Sequence, residues 1–95
     1  MPLLTIIANI YVKKEFQSQV KKELLKLVEI TRNEKGCLHY QLHQDNDDEL
    51  HFMFYETWET KDLLQQHLSS NHMKSYIKAT NNMISSLQIT KMKKI

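Results

Sequence analysis

Between Leu3 and Val12 the chain alternates with a period of two. Leu4, Ile6, Ala8 and Ile10 fall on one side; Thr5, Ile7, Asn9 and Tyr11 fall on the other. That is strand periodicity. Both sides are mostly apolar, as in a strand covered on both faces. From Phe16 the period lengthens. Phe16, Val20, Leu24, Leu27, Val28 and Thr31 recur at helical spacing with Lys and Glu between them, which predicts one amphipathic helix. It should stop near 33–36, where the sole glycine, Gly36, can close it.

Period two returns over Cys37–Gln44, with Leu38, Tyr40 and Leu42 opposite Cys37, His39, Gln41 and His43. The run Asp45–Glu49 is a polar turn. Over Leu50–Trp58, Phe52, Phe54, Glu56 and Trp58 oppose Met53, Tyr55 and Thr57, so two strands about an acidic turn predict a hairpin. Thr60 suits the N-cap of a short helix through Leu68. Ser69–His72 interrupts it. A second helical segment over 72–83 puts Met73, Tyr76, Ile77, Thr80 and Ile84 on one stripe, and Ser86–Met92 closes the chain as a weakly alternating strand. The order β-α-β-β-α-β predicts an α+β, ferredoxin-like fold. One domain over 1–95 would hold a four-stranded antiparallel sheet with helices on one face. The strands are apolar on both faces, and no segment remains to cover the second. A second subunit's sheet is therefore expected there, giving a two-fold homodimer.

Composition narrows the function. At 95 residues the chain suits one small domain with a modest core. A net charge of +2 is too weak for a nucleic-acid footprint, and the basic end Lys91–Ile95 reads as a solvated strand or tail. No apolar run reaches the length of a membrane span. The first residues lack a positive leader region and read as strand. One cysteine, Cys37, excludes an internal disulfide and suits a reducing, cytoplasmic setting. Directly after Gly36, it reads as a small buried apolar residue.

Five histidines raise the question of metal. His39 and His43 share a strand face but stand about 13 Å apart, too far to chelate one ion. No cluster has zinc-ligand spacing, so no metal or cofactor is expected. His67 and His72 titrate near neutral pH and are the candidate proton-transfer groups. Asn9 is a polar intruder in an apolar strand and needs a partner. Glu56 and Trp58 share one face; Glu56 reads as structural, paired with Arg32, the sole arginine. Tyr40, Phe54, Tyr76 and Trp58 could line an apolar pocket for a flat aromatic ligand.

Two segments carry a family resemblance. Arg32-Asn-Glu34-Lys-Gly36-Cys37-Leu-His-Tyr40 and Phe54-Tyr-Glu56-Thr-Trp58 through His67 to His72 resemble the antibiotic biosynthesis monooxygenase family, in order and spacing, across about Leu3 to Thr90. The resemblance implies a dimeric α+β barrel with a pocket between sheet and helices. Within that family are cofactor-free quinol monooxygenases, haem-degrading enzymes and an isomerase of a sugar phosphate. Asn9 matches an asparagine of the haem-degrading branch, but His67 and Ile77 stand where that branch has tryptophan and the iron-ligating histidine, which argues against haem degradation. Asn71 stands where many relatives have proline. The resemblance therefore implies a cofactor-independent monooxygenase acting on a small hydroxylated aromatic or quinol with molecular oxygen. His67 or His72 would be the base, Asn9 the hydrogen-bond donor to the oxyanion, and Trp58 would shape or support the pocket wall. The alternatives are an isomerase of a small phosphorylated metabolite, or a non-catalytic ligand-binding dimer.

Overall fold

The first strand, β1 (Leu4–Val12), lies inside a four-stranded sheet of a computed structural model that describes residues 3–95. The first two residues of the expected 1–95 domain lie outside the described residues. β1 pairs antiparallel with β3 (His51–Trp58) and with β4 (Ile84–Lys93), and β3 pairs antiparallel with β2 (Cys37–Gln44), giving the order β2-β3-β1-β4. Three helices connect them: α1 (Gln17–Thr31), α2 (Lys61–Leu68) and α3 (Asn71–Ala79). This is the expected ferredoxin-like order, with the second crossover split into two short helices.

The alternation read from the sequence orients the sheet. Ile6, Ala8 and Ile10 pair with Glu56, Phe54 and Phe52 on one side and with Lys91, Ile89 and Leu87 on the other, so these residues share a face. Val20, Leu24, Leu27 and Val28 of α1 and Leu64 of α2 complete a core with that face. Burial of such side chains stabilises by about 1.5–3 kcal/mol each. Ile7, Tyr11, Met53 and Tyr55 lie on the other face and are only half-buried.

Four boundaries differ from expectation. A 3-10 turn, Lys14–Phe16, precedes α1, so Phe16 caps the helix rather than opening it. The register slips between Cys37 and His39, which turns Cys37 towards the core and leaves Leu38 exposed, the reverse of simple alternation. Ser70, not His72, starts α3: its hydroxyl accepts from Met73 N at 3.3 Å. α3 also ends earlier. Thr80 folds its hydroxyl back onto the Tyr76 carbonyl (2.9 Å), Asn82 adopts φ 66°, and Ile84 begins β4 instead of extending the helical stripe. None of the described helices is long and apolar enough to cross a membrane.

Candidate functional site

Where the helices fail to cover the sheet completely, a cavity of about 590 Å³ opens. Its floor is the shared sheet face, including Ile6, Ala8, Ile10, Phe54, Glu56 and Tyr40. Its roof comes from Leu64, His67, Met73, Tyr76 and Ile77, and Leu87, Ile89 and Lys91 of β4 form one side. The wall is overwhelmingly apolar, with few polar groups, the pattern of a small-molecule site.

His67 is the polar group held most firmly. It sits in the last turn of α2, 2% exposed, with its ring 4.8 Å from that of Trp58 and edge-on to Tyr40 at 5.6 Å. Its Nδ1 lies 2.5 Å from Glu34 Oε2. Because a carboxylate only accepts, Nδ1 carries the proton and donates it to Glu34. That leaves the Nε2 lone pair free, and no partner engages it among the described residues. Burial holds the imidazole below its ordinary range, with Glu34 opposing, so His67 is neutral near pH 7 and able to accept a proton.

Glu56 is the second titratable group on the cavity. Its Oε1 accepts a hydrogen bond from Trp58 Nε1 at 3.0 Å. Burial raises it to about 7; the indole N–H opposes this, and the charge of Glu34 adds to it. Burial also pushes the Tyr40 hydroxyl up, and Tyr76 to about 12, so both phenols stay protonated. Cys37 rises to about 11 by burial and the nearby carboxylates, which leaves an inert thiol.

The expected site residues divide. The structure gathers His67, Tyr40, Phe54 and Tyr76 on the cavity. It does not bring Asn9 there. Asn9 lies on the helix-free face, its Oδ1 2.8 Å from His51 Nε2, and His51 in turn meets Asp45 at 3.0 Å and stacks on Tyr11 at 4.3 Å. The oxyanion-donor role expected of Asn9 fails on geometry, since β1 alternation turns it away from the pocket. Trp58 is fully buried behind His67 rather than on the cavity wall. His72 stops short of the cavity: its Nε2 meets Glu34 Oε2 at 3.0 Å and Ser70 Oγ at 3.2 Å. Glu56 finds Trp58 instead of Arg32, whose Nε donates to the Tyr40 carbonyl at 3.1 Å.

Sequence reasoning missed Glu34. It follows α1, and its partners lie 33 and 38 residues downstream. The only available signal was its place in the segment ending at Gly36 and Cys37. The approach of Glu34, His67 and His72, with one ligand atom from each within 4.8 Å of the others, also goes beyond what histidine spacing indicated about metal.

Comparison with known proteins points one way. The family described as antibiotic biosynthesis monooxygenase matches residues 3–79. A crystal structure of an antibiotic biosynthesis monooxygenase is 30% identical with a TM-score of 0.92, covering 97% of this chain and 98% of that one. A Pseudomonas aeruginosa protein is 28% identical with a TM-score of 0.96, covering 100% and 96%. An uncharacterized Synechocystis protein is 22% identical over 81 residues, 85% of this chain and 55% of that protein. The chain thus spans about half the length of that curated relative.

Proposed function

We propose, because the chain belongs to the antibiotic biosynthesis monooxygenase family, that it is a cofactor-independent monooxygenase of a small hydroxylated aromatic or quinol. The observation that carries this reading is a neutral imidazole, oriented by a carboxylate, facing an apolar cavity of about 590 Å³. A cavity of that volume takes a one- or two-ring aromatic.

In the reaction, the aromatic ring lies against Phe54 and Tyr40 over the sheet floor. His67 Nε2 removes a phenolic proton, and Glu34 stabilises the imidazolium that forms. The apolar wall leaves the phenolate poorly solvated and electron-rich, so it reduces molecular oxygen directly. One oxygen atom bonds to ring carbon. The other leaves as water, taking up the hydrogens that the quinol loses as it becomes a hydroxyquinone. The protonated hydroxyls of Tyr40 and Tyr76 supply hydrogen bonds to developing negative charge. Glu56, half ionised near neutral pH, can return a proton to the departing oxygen.

We extend the proposal to a cytoplasmic homodimer, on the strength of the single cysteine, Cys37, and the half-covered sheet. The isomerase alternative finds less support. A phosphorylated substrate calls for cations, and among the described residues Lys91 alone supplies one on the cavity wall, with Arg32 turned to a backbone carbonyl. The test is oxygen uptake with a panel of quinols, aerobic against anaerobic. Oxygen-dependent turnover that His67→Ala lowers by about 100-fold or more supports the reading. Turnover that persists without oxygen, or no turnover of any quinol, rejects it.

A further inference from the structure

Glu34, His67 and His72 come from three separate elements and meet at one point. Glu34 follows α1, His67 ends α2 and His72 lies in the first turn of α3. Both imidazoles address the same carboxylate oxygen, Oε2, at 2.5 and 3.0 Å. Two independent ion pairs would need only one oxygen each. Convergence on a single oxygen instead brings three potential donor atoms within 4.8 Å of one another. Ser70 braces the arrangement: its hydroxyl donates to the His67 carbonyl at 2.6 Å and stands 3.2 Å from His72 Nε2.

We propose that Glu34, His67 and His72 form a binding site for one divalent transition-metal ion, zinc being the best match, and that filling it silences the base at His67. Two imidazole nitrogens and one carboxylate oxygen are a donor set zinc accepts, with the fourth position open to water. Zinc bonds of about 2.0–2.2 Å place tetrahedral ligand atoms about 3.3–3.6 Å apart. His72 and Glu34 are already near that separation, His67 and Glu34 must open by about 1 Å, and the two imidazole nitrogens, within 4.8 Å of each other, must close by up to about 1.5 Å. The side chains of Glu34 and His72 are 20% and 17% exposed, so an ion can reach them from solvent, whereas His67, at 2%, closes the inner side.

The proton count gives the consequence. Without metal, each imidazole carries its proton on the nitrogen facing Glu34. A metal needs the lone pair there, so each proton moves to the outer nitrogen, and no electron changes hands. For His67 the outer nitrogen is Nε2, the atom nominated as the base. An Nε2–H can donate but cannot accept a substrate proton. The metal site itself stands without the oxygenase reading; the silencing rests on it.

Calorimetry of chelator-stripped protein with Zn²⁺ tests the site, with Co²⁺ visible absorption reporting coordination and long-range ¹H–¹⁵N correlation reporting the His67 tautomer. The expected result is one ion per chain at micromolar affinity or tighter. Affinity should fall about 100-fold or more in both Glu34→Gln and His72→Ala, since even residues behind the ligands change metal affinity 10–100-fold. The His67 proton should move from Nδ1 to Nε2 in wild-type protein, a readout that needs no variant to fold. Absent binding, binding unchanged in both variants, or a His67 tautomer unmoved by zinc overturns the site. Zinc binding that leaves quinol oxidation untouched overturns only the silencing. Zinc binding in a protein that oxidises no quinol keeps the site and removes the oxygenase reading.

Discussion

At the scale of single residues, two carboxylates divide the work. Glu34 fixes the tautomer of His67, and its effect should appear as a loss of rate. His67→Ala should lower kcat by about 100- to 10,000-fold, the usual contribution of a positioned base. Glu34→Gln keeps the shape but no longer rewards the productive tautomer; it should lower kcat by about tenfold or more with KM little changed, measured by steady-state oxygen uptake with chelator present. Glu56, besides the proton it can return, also makes stability depend on pH. Its carboxyl is raised from 4.5 to about 7 by burial. Below pH 4.5 it is protonated both folded and unfolded and has no effect on the pH dependence. As pH rises towards 7 the unfolded chain releases the proton while the folded chain retains it, so stability falls. At about 1.4 kcal/mol per pH unit, the loss is on the order of 3 kcal/mol across that window. Urea unfolding of wild type and Glu56→Gln from pH 4 to pH 8 should show this slope in the wild type and lose it in the variant. These residues also mark what the sequence can tell. Tyr40, Phe54, Tyr76 and His67 reach the cavity because alternation and helical spacing put them on the inner surfaces. Asn9 shows the opposite: period two sets it with Ile7 and Tyr11, across from Ala8, and so away from the cavity. Glu34 was illegible because its partners are distant in sequence, and proximity of that kind is created only by folding.

At the scale of elements, the junctions decide whether the site assembles. Gly36 ends the turn after α1 at φ +86°, a conformation glycine takes without penalty. A Cβ there would also stand 2.8 Å from Leu63 Cβ, inside contact distance of α2. The same residue thus permits the turn and lets the helix bearing His67 pack beside Glu34. Gly36→Ala should destabilise by about 1–3 kcal/mol, read as a lower denaturation midpoint, because strain and overlap act together. Circular dichroism should report near-native secondary structure while the His67 tautomer loses its preference. The strand and helix types were readable from periodicity, but the junctions were less so. Thr80 and Ile84 continue the apolar stripe of α3, yet a hydroxyl folded onto the Tyr76 carbonyl and a left-handed Asn82 end the helix first. The slip between Cys37 and His39 is equally silent in the sequence, since alternation assumes no extra residue in the strand.

At the scale of the whole molecule, one sheet face is unfinished. The helices bury Ile6, Ala8, Ile10, Phe52 and Phe54, while Ile7, Tyr11, Met53 and Tyr55 opposite them remain half-buried. At the sheet edge, Met92 of β4, paired with Thr5 on this face, is more than half exposed. A chain of this length has little core to spare. An apolar strip with polar neighbours such as Gln41, Gln88 and Thr90 suits a self-complementary contact, because a two-fold axis lets one strip cover its own copy. His51 and Asn9 lie on this same face, joined to each other at 2.8 Å, and His51 meets Asp45 at 3.0 Å. Sedimentation equilibrium should therefore return two chains per particle at micromolar concentration. Tyr55→Glu, with Tyr55 set beside Ile7 on the strip, would place a carboxylate between two apolar surfaces and should shift the equilibrium to monomer by about tenfold or more. It lies across the sheet from the cavity, so the variant monomer should keep the His67 tautomer while its denaturation midpoint becomes independent of protein concentration. A wild-type particle of one chain, unchanged by Tyr55→Glu, would mean that this face is stable in water as it stands.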